Sequence, residues 1–181
     1  MRRSLFVAAV AGIALVSLPF EARAQMSTVV KPIQFGIAAG ASIPTGDLSD
    51  VANMGFNGTV TVGLNPASLP LGIRFDGAYN QWGAKAITGS DNLHAWSVTG
   101  NVVYKMPGVV ISPYLIGGAG FYNGDFDGTG SNSKNDFGFN AGAGLSMGLS
   151  GFDTFLEARY NRVSTDLGSQ AFVPITFGIM F

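Results

Sequence analysis

The chain of 181 residues contains no cysteine and few charged residues. Without cysteine there is no disulfide framework, so stability has to come from backbone pairing and side-chain packing. Charged residues make up 12% of the chain, whereas a soluble domain has about 25%. The formal net charge is −1, which provides no basic surface of the kind that binds nucleic acid.

One long apolar run is present, and it lies at the N-terminus. Two arginines precede an uncharged apolar run over residues 5–18, and small residues follow at Ala22 and Ala24. This pattern predicts a secretory signal peptide over residues 1–24, because the run is shorter than the roughly 20 residues of a spanning helix. The mature domain is then residues 25–181. The signal peptide contains three arginines and one glutamate, so the net charge is −1 for the whole chain and −3 for the mature domain.

The C-terminal stretch 171–181 alternates between two kinds of residue. Apolar residues share one face of the expected strand: Val173, Ile175, Phe177, Ile179 and Phe181. Small or polar residues share the other face: Pro174, Thr176 and Gly178. Strict alternation of this kind is typical of a β-strand with one apolar face.

Seven earlier segments alternate in the same way. They cover residues 34–44, 56–65, 71–81, 94–106, 112–122, 137–149 and 154–162. Each is about 10 residues long, which is the length of a strand that crosses a bilayer in a barrel. The sequence therefore predicts an all-β fold, an eight-stranded antiparallel up-and-down transmembrane β-barrel.

Alternation alone does not say which face of the wall points outward. A soluble eight-stranded barrel would have its apolar face inside. Here the smaller face carries arginine, aspartate, glutamate, lysine, asparagine, threonine and many glycines, and the larger face carries aliphatic and aromatic residues. The signal peptide, the low charge and the final phenylalanine favour a transmembrane barrel with its apolar face toward lipid.

The connections between segments alternate in length. Residues 66–70, 107–111 and 150–153 form short connections. Residues 45–55, 83–92, 123–136 and 163–170 form longer ones, rich in glycine, aspartate, asparagine, serine and threonine. Because short turns of such barrels face the periplasm, both ends of the mature chain are expected there.

Aromatic residues of the apolar face gather near both ends of the expected strands. Seven lie near the outer ends: Phe56, Tyr79, Trp96, Phe121, Phe137, Phe139 and Tyr160. Phe35, Tyr104 and Phe181 lie near the inner ends. Two such bands are expected at the two interfaces of a bilayer, so these residues are predicted to form aromatic girdles.

Four charged residues fall on the inward face of two segments. Arg74 and Asp76 belong to the third segment, and Glu157 and Arg159 belong to the seventh. A buried charge without a partner is costly, so these four are expected to pair across the lumen as a charge network that plugs it. A gated ion path through rearranged pairs is the alternative.

The whole mature chain resembles the small OmpA/OmpX-type outer-membrane β-barrel family. The run P-Y-L-I-G-G-A-G at residues 113–120 is similar to a strand of its barrel domains, and the last strand ends on phenylalanine. The resemblance implies an outer-membrane location and an assembly signal at Phe177 and Phe181, read by the insertion machinery. It also implies outer-membrane lipid and lipopolysaccharide as partners, with the chain a monomer without cofactor.

Some small outer-membrane barrels are lipid-modifying enzymes that use histidine, serine and a carboxylate. His94 is the only histidine here, and Ser97, three residues on, falls on the opposite face of the strand. A nucleophile has to lie within hydrogen-bond reach of its base. We therefore expect a non-enzymatic barrel with a structural or adhesive role for its outer loops. A narrow pore and a lipid A-modifying enzyme are the alternatives.

The third long connection, 123–136, partly imitates a calcium-binding loop. Its candidate ligands are Asp125, Asp127, Thr129, Gly130, Ser133 and Asp136. They fall at the spacings of such a loop, but the flanking segments are strands and the last residue is aspartate where glutamate is usual. No metal site is therefore predicted.

Overall fold

The computed structural model describes residues 32–66, 70–85, 92–108, 110–124, 134–165 and 168–181. These residues form eight strands and one short helix. The strands are β1 (Ile33–Thr45), β2 (Ala52–Leu64), β3 (Leu71–Ala84), β4 (Leu93–Lys105), β5 (Ile111–Gly124), β6 (Lys134–Gly148), β7 (Asp153–Thr165) and β8 (Gly168–Met180). Helix α1 (Leu48–Val51) lies between β1 and β2. Within the described residues, no helix has the length and apolar character needed to cross a membrane.

The eight strands close into one barrel. Each strand pairs antiparallel with its neighbours in sequence, and β1 pairs with β8 to complete the ring. At the seam, the backbone N–H of Phe181 donates to the carbonyl of Phe35 over 2.7 Å, and the N–H of Phe35 donates back over 3.2 Å. The predicted architecture, an eight-stranded antiparallel up-and-down barrel, is confirmed.

Strand β4 shows how alternation in the sequence becomes two faces of a wall. Neighbouring side chains of a strand point to opposite sides. Val102 is 53% exposed on the outside of the barrel, whereas Val103, the next residue, is 7% exposed inside it. Trp96 and Val98 also point outward, and Thr99 is buried. The outer face of the wall is therefore apolar, the reverse of a soluble barrel.

The two ends of the barrel differ in their connections. Residues 65–70, 106–110 and 149–152 join strands at one end, here called the short-turn end. At the opposite end, here called the long-loop end, lie α1 and the strand ends that flank residues 86–91, 125–133 and 166–167.

Strands continue further toward the long-loop end than the sequence pattern predicted. The expected loop 163–170 was wrong, because β7 and β8 continue to pair until only residues 166–167 separate them. In that stretch Ser164 lies opposite Ser169, and Gly168 has a φ of 137°, a conformation that favours glycine. Antiparallel pairing satisfies the backbone groups of polar residues as well as apolar ones, so composition alone misplaces the end of a strand.

The lumen contains two apolar clusters that the sequence pattern did not predict. A cap cluster near the long-loop end consists of Leu48, Ala52, Trp82, Leu93, Ala95, Tyr122, Val163 and Phe172. A second cluster contains Val103, Tyr114, Ile116, Phe155 and Met180, with Ala38 packed against it. Large apolar side chains therefore fill both ends of the lumen, beside the polar residues and glycines of the inner face.

Interior glycines provide the space for the aromatic side chains of the second cluster. A Cβ atom at Gly144 would collide with the ring of Tyr114, and one at Gly178 would collide with the ring of Phe155. An eight-stranded barrel has an interior just wide enough for its own side chains. Glycine on one strand therefore lets a large ring from the next strand lie flat against the wall.

Candidate functional site

The four charged residues predicted for the lumen meet in its middle. Arg74 and Asp76 extend inward from β3, and Glu157 and Arg159 extend inward from β7 on the facing side. Their spacing of two places both members of each pair on the inner face. All four are buried, with exposed fractions of 6%, 2%, 4% and 8% in chain order.

Each charge of this lumen charge network contacts two charges of opposite sign. Arg74 Nη2 lies 2.7 Å from Glu157 Oε2, and Arg74 Nε lies 3.1 Å from Asp76 Oδ1. Arg159 Nη1 lies 2.9 Å from Asp76 Oδ2, and Arg159 Nε donates to Glu157 Oε1 over 3.0 Å. The formal charges sum to zero, so the pairing offsets much of the cost of removing them from water.

Neutral groups complete the coordination of the two carboxylates. The hydroxyl of Tyr114 donates to Glu157 Oε2 over 2.8 Å, and Asn101 Nδ2 donates to Asp76 Oδ2 over 2.9 Å. The guanidinium carbon of Arg74 lies 5.6 Å from the centre of the Phe155 ring, within range of a cation–π contact. Each carboxylate therefore contacts both arginines and a neutral side chain, Tyr114 at Glu157 and Asn101 at Asp76.

A polar layer lies between the charge network and the cap cluster. Asn80 Oδ1 accepts from Ser42 Oγ over 3.0 Å and from Asn57 Nδ2 over 2.9 Å. The Tyr122 hydroxyl donates to Asn161 Oδ1 over 2.9 Å. A cavity of about 30 Å³ lies against this layer and the four charges. A cavity of this size has room for water but for no larger ligand.

A second cavity of about 30 Å³ lies on the short-turn side of the network. Arg74 and Phe155 line both cavities, so these two side chains separate them. Further toward the short turns, Gln34 Nε2 donates to Asp153 Oδ2 over 2.8 Å, and Asn65 Nδ2 donates to Gln34 Oε1 over 2.6 Å. The lumen is therefore filled by alternating apolar, polar and charged layers.

The residues predicted to form girdles lie on the outer wall. Tyr79 is half-buried, and the others are exposed: Phe35, Phe56, Trp96, Tyr104, Phe121, Phe137, Phe139 and Tyr160. The structure brings two groups of rings together near the long-loop end. The ring of Tyr79 lies 5.9 Å from that of Phe56 and 4.5 Å from that of Trp96. The ring of Phe137 lies 5.8 Å from that of Phe121 and 5.0 Å from that of Phe139.

Phe177 and Phe181, the predicted assembly signal, also lie exposed on the outer wall, on the final strand and just after it. Phe177 lies opposite Ala39 on β1 and Leu156 on β7. The ring centre of Phe181 lies 6.2 Å from that of Phe152 in the last short connection. Both rings therefore lie on the outer surface of the barrel.

His94 lies on the outer wall among aromatic and amide groups. It is opposite Gln81 on β3, and its ring centre lies 6.5 Å from that of Tyr79. Ser97 points into the lumen and is 8% exposed, so the wall separates it from His94. This placement gives His94 no serine as a nucleophile on the same strand.

The calcium hypothesis falls mostly outside the described residues, which include Asp136 but not residues 125–133. Within the described part of the chain, no group of three or more histidine, cysteine, aspartate or glutamate side chains could hold a metal ion.

Sequence reasoning missed the cap cluster as part of the site. Leu48 projects from α1 into the mouth of the barrel, where it is fully buried beside Trp82 and Phe172. The ring of Phe172 lies 5.0 Å from that of Trp82 and 6.3 Å from that of Tyr122. The available signal was Phe172 itself, because it shares a face of β8 with Pro174, Thr176 and Gly178.

Comparison with known proteins places this architecture among outer-membrane barrels. The solved structure of Neisserial surface protein A has 16% identity and a TM-score of 0.65, over 83% of this chain and 96% of that chain. Ail, the attachment invasion locus protein of Yersinia pestis, has 17% identity and a TM-score of 0.51, over 82% and 97%. The outer membrane enzyme PagL has 18% identity and a TM-score of 0.51, over 82% and 97%. The sequence matches no curated protein significantly.

At this level of sequence identity, these structures share the fold with this chain. The family model described as "Outer membrane protein beta-barrel domain" matches residues 8–181. That match spans all eight strands and the whole lumen charge network. The chain therefore belongs to the outer membrane protein β-barrel domain family, whose location is the outer membrane.

Proposed function

We propose that this protein is a non-enzymatic, closed outer-membrane barrel whose role is structural or adhesive, with the loops at the long-loop end as its contact surface. In the proposed orientation the long-loop end faces the outside of the cell, and both mature termini lie in the periplasm. Barrels of this class place their short turns on the periplasmic side, which supports this orientation.

The observation that carries the proposal is the filled lumen. The charge network occupies the middle, and apolar clusters lie on either side of it. An ion that entered from either end would have to displace buried apolar side chains and then break paired charges. Both steps are costly. The filled lumen therefore supports a closed barrel that holds its loops in place, rather than a conducting channel.

The surroundings of His94 support a role without catalysis. On the outer wall this histidine contacts the Tyr79 ring and lies opposite Gln81, neither of which is a serine nucleophile or a carboxylate. The two cavities found among the described lumen residues have volumes of about 30 Å³ each, which is too small for a lipid.

Two measurements on the refolded barrel test this function. Planar-bilayer recording should show no steady conductance steps, and incubation with acyl-labelled lipopolysaccharide should release no labelled fatty acid. Regular conductance steps would establish the pore instead, and acyl release that persists after purification from a denatured state would establish the enzyme.

A narrow pore is the second candidate, and the position of Arg74 favours it over the enzyme. This side chain lies between the two cavities and contacts both. If Arg74 released Glu157 and kept only its contact with Asp76, the two cavities would come closer to forming a continuous path. Conductance that rises when Arg74 is shortened to alanine, from a closed wild type, would identify the arginine as the gate.

The adhesive part of the proposal concerns the outer loops. Cells that display the full chain should attach to immobilised extracellular-matrix protein or to one another more than cells without it. Replacement of residues 125–133 by a glycine–serine segment of equal length should remove the difference while the barrel stays folded. Equal attachment by both kinds of cell would contradict the adhesive role, and only the structural role would remain.

The last strand is proposed to carry the assembly signal, with the outer-membrane insertion machinery as its partner. Deletion of Phe181 should lower the amount of folded barrel in the outer membrane roughly tenfold or more, on the scale of one lost anchor residue at an interface. Export should continue, so unfolded chain should accumulate in the periplasm. Heat-modifiable gel mobility measures the folded fraction.

Phe152→Ala is the matched control for this deletion, because Phe152 contacts Phe181 but lies outside the last strand. It should leave assembly near the wild-type level. Normal outer-membrane assembly of the chain without Phe181 would contradict the proposed signal.

A further inference from the structure

Arg162 is a charged side chain that faces away from the barrel. It is exposed on the outer wall of β7, where it lies opposite Phe139 of β6. The other charged side chains described on the strands are buried in the lumen network or lie opposite lumen-facing residues. They are Arg74, Lys105, Asp76, Asp136, Asp153, Glu157 and Arg159. Among the described strand side chains, Arg162 alone therefore carries a charge outward.

The position of Arg162 along the wall is that of a membrane interface. Tyr160, two residues earlier on the same outer face, and Phe139, directly opposite, are both exposed aromatic residues. Aromatic rings of membrane proteins collect at the level of the lipid headgroups. An outward arginine is tolerated best at that level, because charge facing the lipid is most costly at the middle of the bilayer.

The donors around Arg162 suit an oxyanion. Arg162 Nη2 donates to Ser169 Oγ over 3.2 Å, and Ser169 lies opposite Ser164 on the same face. A hydroxyl is a weak partner for a guanidinium, and within the described residues Arg162 forms no salt bridge. The planar guanidinium retains further N–H groups, in the fork geometry that binds phosphate with two parallel hydrogen bonds.

We propose that Arg162 and Ser169 bind a phosphate group of lipid A in the outer leaflet, with Phe139 and Tyr160 against its acyl chains. This assignment rests on the proposed orientation, which places Arg162 in the leaflet made of lipopolysaccharide. The apolar wall below and the two serines at the level of the arginine fit a lipid whose phosphorylated sugars lie directly above acyl chains. The site gives the barrel a fixed contact with its own membrane.

The test measures lipid binding to the refolded full-length chain in micelles by native mass spectrometry. The probes are diphosphoryl lipid A, enzymatically dephosphorylated lipid A and phosphatidylglycerol. Lipid A should bind more tightly than either of the others. Arg162→Gln should weaken lipid A binding roughly tenfold or more, which is the scale of a charge-assisted hydrogen bond to phosphate. Arg162→Lys should retain part of the affinity, because it keeps the charge without the fork.

Gln81→Ala is the control, since Gln81 is a polar residue on the outer face of β3, on a different part of the wall. It should bind lipid A like the wild type. Equal binding by wild type and Arg162→Gln would overturn the site. Equal binding of intact and dephosphorylated lipid A would overturn phosphate as the ligand, and equal binding of phosphatidylglycerol would overturn lipid A as the source.

A separate experiment tests the proposed orientation, in which the long-loop end faces the outside of the cell. Because the chain has no cysteine, a single cysteine from Ser90→Cys can be labelled on intact cells with a membrane-impermeant maleimide. Labelling without permeabilisation supports the outer leaflet as the location of Arg162. Labelling only after permeabilisation would overturn lipid A as the native occupant, even if the micelle experiment shows a phosphate site.

Discussion

Glu157→Gln is expected to destabilise the folded barrel by roughly 3–5 kcal/mol, the scale for breaking a buried ion pair. Glu157 accepts hydrogen bonds from Arg74, Arg159 and Tyr114. Glutamine has nearly the same size but no charge, so both arginines would depend on Asp76 and one positive charge would stay uncompensated. Equilibrium unfolding by urea in lipid vesicles, followed by tryptophan fluorescence, measures the change.

Two further variants separate charge pairing from a general effect of substitution. Asp50→Asn removes an exposed carboxylate on α1 and should change the free energy of unfolding by less than about 0.5 kcal/mol. Adding Arg159→Gln to Glu157→Gln restores neutrality, so the pair should cost about 0.5–3 kcal/mol less than the sum of the single variants. Additive costs would contradict the coupled network.

Phe172→Ala is expected to cost about 3–5 kcal/mol, because it empties space in a packed interior. Phe172 is 1% exposed and contacts Trp82 and Tyr122 in the cap cluster. The cavity would form at the mouth of the lumen, where Leu48 closes the barrel. The same urea-induced unfolding gives the cost, and hydrogen exchange of α1 amides should show faster local opening.

Phe139→Ala is the matched substitution on the other side of the wall. Phe139 is 59% exposed, and its ring packs edge-on at 5.0 Å from that of Phe137. Lipid chains replace the lost contacts, so the cost should be about 0.5–1.5 kcal/mol, the value of the ring pair. An equal or larger cost at Phe139 than at Phe172 would contradict the assignment of the two faces.

The strand pattern made most of the fold predictable, because side chains of a strand alternate with a period of two. In β4 this period was enough to assign Trp96 and Val98 to the outside and Thr99 to the lumen. The same rule placed Arg74, Asp76, Glu157 and Arg159 on the inner face. Their pairing follows from closure of the barrel, which brings Arg74 to Glu157 across 83 residues of sequence.

The cap cluster and the true ends of the strands were not predictable in this way. Leu48 lies in a stretch rich in threonine, glycine and aspartate, where composition predicts a loop, and its burial depends on Trp82 and Phe172 from distant strands. The pairing of Ser164 with Ser169 depends on a reversal at residues 166–167 that the polar composition conceals. Both features arise from tertiary contacts, which override the local pattern.

The central claim, an apolar wall toward lipid around an enclosed charge network, is tested most directly at Val102 and Val103. These neighbours have the same chemistry and nearly the same depth, but Val102 faces outward and Val103 faces inward. Solution NMR of the unmodified barrel in micelles should show Overhauser effects from detergent acyl chains to the methyl groups of Val102 and none to those of Val103. Acyl-chain contacts at Val103, with Val102 contacting only protein, would contradict the account.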